Sequence, residues 1–521
     1  MGVYTLNLVG VFPSNKLSFH YFLKTTDKKM DSINRYNISL LVLFVIYIVV
    51  HVMTLTRSPL PWFDETFYAS IADSLVSIGE FKLAVAPLIA DGPIYSYGPF
   101  YFLVTGFFIH FFSLDILPFR LVGLLFGFGI LIVSYLILRH NKTAPAITVL
   151  TCILLALDPT FHTSIHSGHM NSMALFFMLI SFLFLLKSRP IVEEKSHYWI
   201  ILSAICAGIG VLTVPRPGYL LIPMVLILIF WWYQTKNNRY LKQLAIWTVF
   251  FSVLLFSWIY YAFGGFEPMV LHYVKLTSNY VGGNFHLIIY QYPLLLFLII
   301  LTVLGIIKHH HKIFNELSFF TLISIVLYFL IVKGSSYSIL MVPLAYMAIA
   351  HLITVLLEGQ KIRYWCYSVI GVLLLLNSAL FMAKLTLLVG QWQIRDPSLV
   401  QDFVSQYIPP NAKVIGDDKY FYAVKKVGAD FQYWLRSGSI SEQQRIDYHK
   451  NDYDFDYLIA DVEKHDLTFK AYSSQVTLVE IGKLENPTPN WLSRRLLKIV
   501  RLFFKSGITL GYQGSIFKVI K

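Results

Sequence analysis

The sequence predicts a multi-span α-helical membrane protein of about eleven transmembrane helices, closed by a small polar α/β domain. Three observations carry this. Of 521 residues, 56% are hydrophobic and only 14% charged, where a soluble domain carries about a quarter charged. Long apolar runs recur from Ile38 to about Val389. Beyond Gln391–Asp396 the composition turns polar and rich in Asp, Lys and Tyr. The chain therefore divides into an N-terminal segment 1–37, a membrane domain 38–390 with a first outer loop 56–118, and a C-terminal domain 391–521.

The apolar runs fall at 38–55, 98–113, 119–138, 145–158, 172–187, 197–214, 218–234, 243–263, 287–307, 314–332, 336–357 and 364–389. The run 98–113 is short, follows Gly98-Pro99, and is interrupted by His110. If it rests in the interface, the loops sort by charge. One side receives the basic N-terminus, Arg139/Lys142, Lys187/Arg189/Lys195, Lys236/Arg239/Lys242, Lys308/Lys312 and Lys361/Arg363. Short loops dense in Lys and Arg are cytoplasmic. The other side receives 56–118, 159–171, 215–217, 264–286, 333–335 and the C-terminal domain. A spanning 98–113 would turn every later basic loop outward, against that rule. The reading is eleven spans, N-terminus inside, C-terminal domain outside.

The net charge of +13 is thus topological, and no nucleic-acid partner is expected. Cys152, Cys206 and Cys366 each sit in an apolar run, which predicts buried thiols and neither a disulfide framework nor a cysteine zinc site. Residues 1–37 carry Lys16, Lys24, Lys28, Lys29 and Arg35 but no apolar core followed by a cleavage site, so the first span is read as retained. There is no glycine-rich phosphate loop. The run Lys308-His309-His310-His311-Lys312 reads as a solvated inner loop.

Chemistry-bearing residues collect on the outer side. Asp64 and Glu65 follow the first span directly, and Phe67, Ile71, Leu75 and Ile78 then recur at helical spacing, predicting an amphipathic helix on the membrane surface. Asp158 through Asn171, with His162, His166 and His169, form the second outer loop. Arg216 stands between Pro215 and Pro217, and Lys333 and Tyr337 precede a later span.

The acidic pair after the first span, the two juxtamembrane helices and the Phe119-Arg120-Leu121-Val122-Gly123 opening of the next span resemble the GT-C glycosyltransferases. Among them the sequence resembles the protein O-mannosyltransferases and the bacterial lipid A aminoarabinose transferases. Asp158–Asn171, Thr213-Val214-Pro215-Arg216-Pro217 and Lys333–Tyr337 extend the resemblance over roughly 38–390. It implies a multi-pass enzyme of a bacterial inner membrane. Such an enzyme moves a monosaccharide from a polyprenyl-phosphate donor to a lipid, glycan or protein acceptor on the outer face, with membrane lipids around it. The resemblance makes Asp64 the base, with Glu65 beside it in the catalytic pair to orient Asp64, bind the acceptor or bind a metal. It makes Arg120, Arg216, Lys333 and Tyr337 the partners of the donor's lipid phosphate. Many relatives carry an acidic residue where Asn171 stands, so the cofactor is open: a divalent metal would draw on Asp64, His166, His169 and Asn171. A transporter or flippase, and a non-catalytic envelope assembly subunit, are the rival readings; no internal repeat supports the former.

The C-terminal domain predicts a helix at Leu399–Tyr407 and strands at Lys413–Gly416, Asp456–Ala460, Val476–Ile481 and Ser515–Ile520, the last closing the sheet. Trp491–Lys505 alternates apolar and basic residues, as an amphipathic helix on anionic headgroups does. The domain is expected to position the acceptor or cover the active site.

Overall fold

The computed structural model describes residues 38, 41–42, 44–88, 92–189, 196–271, 291–313, 315–332, 335–357, 363–434, 441–462, 465–485, 494–498 and 511–520. Segment 1–37, Lys333 and most of the predicted helix Trp491–Lys505 lie outside them; of that helix only 494–498 is described, and it is helical. The chain forms two compact units, Met1–Val50 and His51–Lys521. The described part of the first is helical. The second carries the remaining helices and the sheet.

Among the described residues, each apolar run falls on a helix. By length and composition, five helices can cross a membrane: Ile116–His140, Arg216–Thr235, Arg239–Phe263, Tyr337–Leu357 and Tyr364–Gly390. A sixth span would be the pair Pro145–Leu157 and Pro159–His166, bent by 60° at Asp158. The bend has a local cause. Pro159 cannot continue the ladder from the preceding helix. Asp158 starts a new one, accepting hydrogen bonds from the N–H groups of Thr160 (2.9 Å) and Phe161 (3.0 Å). The remaining apolar helices, among them Asn171–Lys187, Ser196–Val211 and Glu316–Val332, are shorter. The bundle is graded by burial. The apolar stretch of Tyr337–Leu357 is 94% buried and that of Arg239–Phe263 only 11%, so the first is packed within the bundle and the second is exposed at its surface.

Two further helices build the first outer loop: α1, Phe63–Ile78, and α2, Pro99–Phe112. On α2, Leu103, Phe107 and Phe111 form an exposed apolar stripe at four-residue spacing, as suits a helix lying against hydrocarbon. On α1 the outcome differs from the sequence reading. Tyr68, Ala69, Ile71 and Ala72 are buried, and so are Glu65, Thr66, Ser70 and Ser74. A headgroup-bound helix would leave its polar face wet. Here the C-terminal domain covers it and supplies hydrogen-bond partners.

That domain carries a five-stranded sheet in the order β2-β1-β3-β5-β4, with β1 Lys413–Gly416, β2 Asp430–Tyr433, β3 Tyr457–Ala460, β4 Thr477–Leu484 and β5 Gly514–Ile520. Strands β2, β1 and β3 run parallel, and β5 is antiparallel to both β3 and β4. The sequence reading missed β2. The strand read as closing the sheet, β5, lies between β3 and β4. Helix α3, Pro397–Tyr407, is capped by Asp396, which accepts from Ser398 N–H at 3.0 Å, and α4, Phe421–Val427, follows β1. Val400, Val404, Phe421 and Val424 share one hydrophobic core with Tyr68, Ile71, Tyr101 and Phe102 of the first outer loop. Burying this surface ties the boundary predicted near 391 into a single packed body.

Candidate active site

Adjacent helical residues point about 100° apart, so Asp64 and Glu65 at the start of α1 cannot share one environment. Glu65 turns inward and is fully buried. Asp64 keeps 28% of its side chain exposed.

Glu65 meets Arg120, which is also fully buried. Arg120 Nε donates to Glu65 Oε1 at 2.8 Å and Nη2 to Oε2 at 2.7 Å, while Nη1 donates to the carbonyls of Leu55 (2.7 Å) and Pro59 (2.8 Å). Tyr422 of the C-terminal domain donates to Glu65 Oε1 at 3.4 Å. Burial pushes the Glu65 carboxyl above its usual range, against the pull of Arg120 and Tyr422. The guanidinium is enclosed by protein acceptors on both edges. The expectation that Arg120 meets a lipid phosphate therefore finds it committed elsewhere, to fixing the loop 55–65. Gly168 closes this region. It has φ +60°, and a Cβ there would sit 2.6 Å from the Phe119 ring and 3.1 Å from Glu65, so only glycine fits.

Asp64 faces a different group. Its Oδ2 is 3.8 Å from His169 Nε2. The His169 ring stacks on Trp62 (centroids 5.9 Å, 23°) and meets Tyr68 and Tyr337 edge-on at 5.6 and 5.9 Å. Trp62 is itself fixed, its Nε1 donating to Ser167 O at 2.9 Å. Arg216 lies over the Tyr337 ring, 3.8 Å from its centroid, a cation–π contact. Its Nη1 is buried without a hydrogen-bond partner among the described residues. Asp64, Tyr68, Tyr97 and Tyr337 all act on Arg216 electrostatically. Burial, reinforced by Tyr97 and Asp64, holds the Tyr68 phenol well above its ordinary value, so it stays a donor. Burial, and then Arg216, push His169 down to about 3, so this imidazole is neutral.

Asp64, Arg216, Tyr337, His169 and Asn171, read from sequence, thus lie in one neighbourhood, with Tyr337 joining the first three outer loops from the start of a later helix, together with Tyr68, Tyr97 and Trp62. The joining residues carried no signal beyond being aromatic. The metal set does not assemble as expected. His166 leaves it and packs against His51 and His162, with ring centroids 4.5 Å apart in both pairs. His169 Nδ1 accepts the backbone N–H of Asn171 at 3.2 Å. A neutral imidazole that accepts at Nδ1 carries its hydrogen on Nε2, the atom nearest Asp64. That tautomer offers no lone pair to an ion beside Asp64. The side-chain Oδ1 and Nδ2 of Asn171 are buried without hydrogen-bond partners among the described residues.

Residues 41–274 match the family model of dolichyl-phosphate-mannose-protein mannosyltransferases. The fold is that of ArnT from Cupriavidus metallidurans. The apo structure is 16% identical with a TM-score of 0.57, covering 86% of this chain and 96% of that one. The structure bound to undecaprenyl phosphate is 14% identical with a TM-score of 0.59, covering 92% and 97%. The Archaeoglobus fulgidus oligosaccharyltransferase, tethered with an acceptor peptide containing the NVT sequon, is 11% identical with a TM-score of 0.50, covering 92% and 88%. No curated relative matches. Over residues 41–274 the chain thus resembles the mannosyltransferase family, and over most of its length it shares the fold of ArnT.

Proposed function

We propose that the protein transfers a monosaccharide from a polyprenyl-phosphate carrier to a lipid, glycan or protein acceptor at the extracytoplasmic face of a bacterial inner membrane. The observation that carries this reading is a partly exposed carboxylate, Asp64, within electrostatic reach of a half-buried cation, Arg216, whose Nη1 is buried without a hydrogen-bond partner among the described residues. Asp64 takes the proton of the acceptor as the acceptor atom attacks the anomeric carbon. The bond from that carbon to the phosphate oxygen breaks, and the lipid phosphate leaves with the electron pair. Arg216, steadied on Tyr337, donates to the phosphate as its charge grows, with Lys333 assigned the same task. The Asn171 amide serves the sugar hydroxyls. A single displacement of this kind inverts the anomeric centre. Glu65 and Arg120 are positioning residues that hold the start of α1. No step is routed through a metal at Asp64, because the His169 tautomer does not suit one. The C-terminal domain packs on the polar face of α1 through Tyr422 and Tyr433.

The reading is tested by labelled-sugar transfer in proteoliposomes, with a panel of polyprenyl-phosphate monosaccharides and a membrane lipid extract. Wild type transfers label and an equally folded Asp64→Asn variant does not. Full transfer by the variant overturns the assignment of the base.

A further inference from the structure

At the end of the bundle opposite Asp64, a cleft of about 320 Å³ opens between helix ends. Two helices fix its distance from the candidate active site. Helix Ile116–His140 carries Arg120, beside Glu65, near its start and His140, in the cleft, at its end. Helix Asn171–Lys187 starts at Asn171, and Arg189, two residues past its end, lines the cleft. At 1.5 Å per residue both paths measure roughly 30 Å, the thickness of a bilayer's hydrocarbon core. The basic loops at this end assign it to the cytoplasmic face. Leu186 and Trp231 are buried apolar lining, and the buried Tyr240 donates to the Arg189 carbonyl at 3.3 Å. The surroundings are positive. Besides Arg189, the cations Arg139, Lys187 and Lys236 each adjoin a lining residue in sequence. Lys187 rests over Trp199 (4.8 Å) and Lys236 over Tyr233 (4.1 Å), ring faces that leave their charge in place. Among the described residues, the carboxylate bonded to this lining is Glu316, which accepts from Arg189 Nη1 and, at 3.0 Å, from Trp231 Nε1.

We infer that this cleft binds the phosphate headgroup of an anionic phospholipid of the cytoplasmic leaflet. Three features carry it. First, the charge complements a phosphodiester. A guanidinium offers five N–H donors in a planar fork. Glu316 engages Nη1 of Arg189, whose side chain stays 50% exposed. Basic pockets between helices on the cytoplasmic side take lipid headgroups for this reason. Second, the volume of about 320 Å³ lies at the low end of small-ligand sites. It holds a headgroup and not the acyl chains, and His140 and Gln234 in the lining face the ester and glycerol oxygens. Third, the cleft is continuous with a lipid-accessible surface. The turn that borders it joins helices Leu221–Thr235 and Arg239–Phe263, which carry exposed apolar side chains: Phe230 and Tyr233 on the first, Leu241, Val249 and Val253 on the second. Acyl chains lie along these faces while the phosphate sits in the cleft, an advantage that free phosphate lacks. The lipid thereby ties together the inner ends of four helices, and its binding is independent of the transfer chemistry at Asp64.

The test is lipid retention by native mass spectrometry, alongside thermal stability, on the full-length protein in detergent. The probes are phosphatidylglycerol, phosphatidylcholine and inorganic phosphate. Wild type retains phosphatidylglycerol and unfolds at a higher temperature with it, whereas phosphatidylcholine and phosphate at the same concentration leave the midpoint unchanged. Each basic residue near the membrane surface adds to the attraction for anionic lipid, so the double variant Lys187→Gln/Arg189→Gln weakens phosphatidylglycerol binding by about 10–30-fold. Glu316→Gln removes the opposing carboxylate and keeps the guanidinium; it tightens binding, a gain that a folding defect does not produce. Equal retention of phosphatidylglycerol and phosphatidylcholine overturns the charge selectivity. Undiminished binding in the double variant, or binding that Glu316→Gln fails to tighten, overturns the site. A midpoint rise with inorganic phosphate equal to that with phosphatidylglycerol overturns the lipid as occupant.

Discussion

Arg120 grips Glu65 through two parallel hydrogen bonds of 2.8 and 2.7 Å, with neither side chain exposed to solvent. The same guanidinium holds the carbonyls of Leu55 and Pro59. One residue of the membrane helix Ile116–His140 thereby fixes both ends of the strap leading to Asp64. Removing one partner strands the other as a buried charge, which costs about 3–5 kcal/mol. Glu65→Ala and Arg120→Ala should each lose most folded protein in a detergent thermal-stability assay. The double variant Glu65→Leu/Arg120→Met should recover much of it. If Arg120 instead served the donor phosphate, Arg120→Lys would fold normally and lose only donor affinity, which the stability assay and donor titration together decide.

This pair also marks how far the site was legible in the sequence. Two carboxylates after a span are visible there, and so is their likeness to a GT-C loop. Which one turns inward is not. That choice is made by Arg120, 55 residues away, and by Tyr422, 357 residues away. The same distance hid the covering of α1, whose polar face reads as wet until Tyr433 is placed on it. Strand β2 was missed because its four residues Asp430–Tyr433 show no repeat long enough to read and gain meaning only by pairing with β1. His51 and Lys384 did leave a signal, as lone ionisable residues inside apolar runs, but only the fold brings them to one helix, Pro159–His166. The apolar runs themselves were read well because lipid-facing composition is a local property.

Arg216 over Tyr337 makes a separable prediction. Arg216→Ala removes the cation whose Nη1 lacks a partner among the described residues, and Tyr337→Phe keeps the ring beneath it. A charged hydrogen bond is worth about 1.5–3 kcal/mol. The Arg216→Ala variant should therefore lower kcat/KM for the polyprenyl-phosphate donor by about 10–100-fold, while Tyr337→Phe changes it little and Tyr337→Ala reproduces part of the loss. Equal behaviour of the two Tyr337 variants would remove the ring from the account.

The C-terminal domain is predicted to act through α1. Tyr433 Oη lies 2.6 Å from Thr66 Oγ1, two residues from Asp64, and the Tyr433 N–H donates to Val85 O at 2.9 Å. Lys425 and Lys426 add ion pairs to Asp73 (3.6 Å) and Asp115 (3.0 Å). Tyr433→Phe should cost about 1 kcal/mol and lower kcat with donor KM unchanged, since it loosens the base and not the cation. Because the Lys426–Asp115 pair is open to solvent, with side chains 46% and 34% exposed, Lys426→Ala should change neither measurably. A drop in donor affinity in Tyr433→Phe would instead place the domain at the donor.

His169 gives the pH prediction. Its folded value, pushed down to about 3 by burial and Arg216, lies below the ordinary histidine value of about 6.5. The unfolded chain therefore binds a proton that the folded chain refuses between those two values. Stability rises with pH wherever the unfolded state holds more protons. His169 thus costs nothing above about pH 6.5 and destabilises the fold progressively as the pH falls toward 3. The imidazole stays neutral where the enzyme works, so its Nε2–H toward Asp64 is present throughout and does not switch the base on or off. The measurement is midpoint temperature against pH from 4 to 8 for wild type and His169→Asn. The variant should show a shallower loss on the acid side and the same plateau near neutrality, less a constant packing penalty from Trp62 and Tyr68. Parallel curves would mean that His169 takes up its proton as readily in the folded protein as in the unfolded chain. The neutral Nε2–H tautomer beside Asp64 would then have to be abandoned.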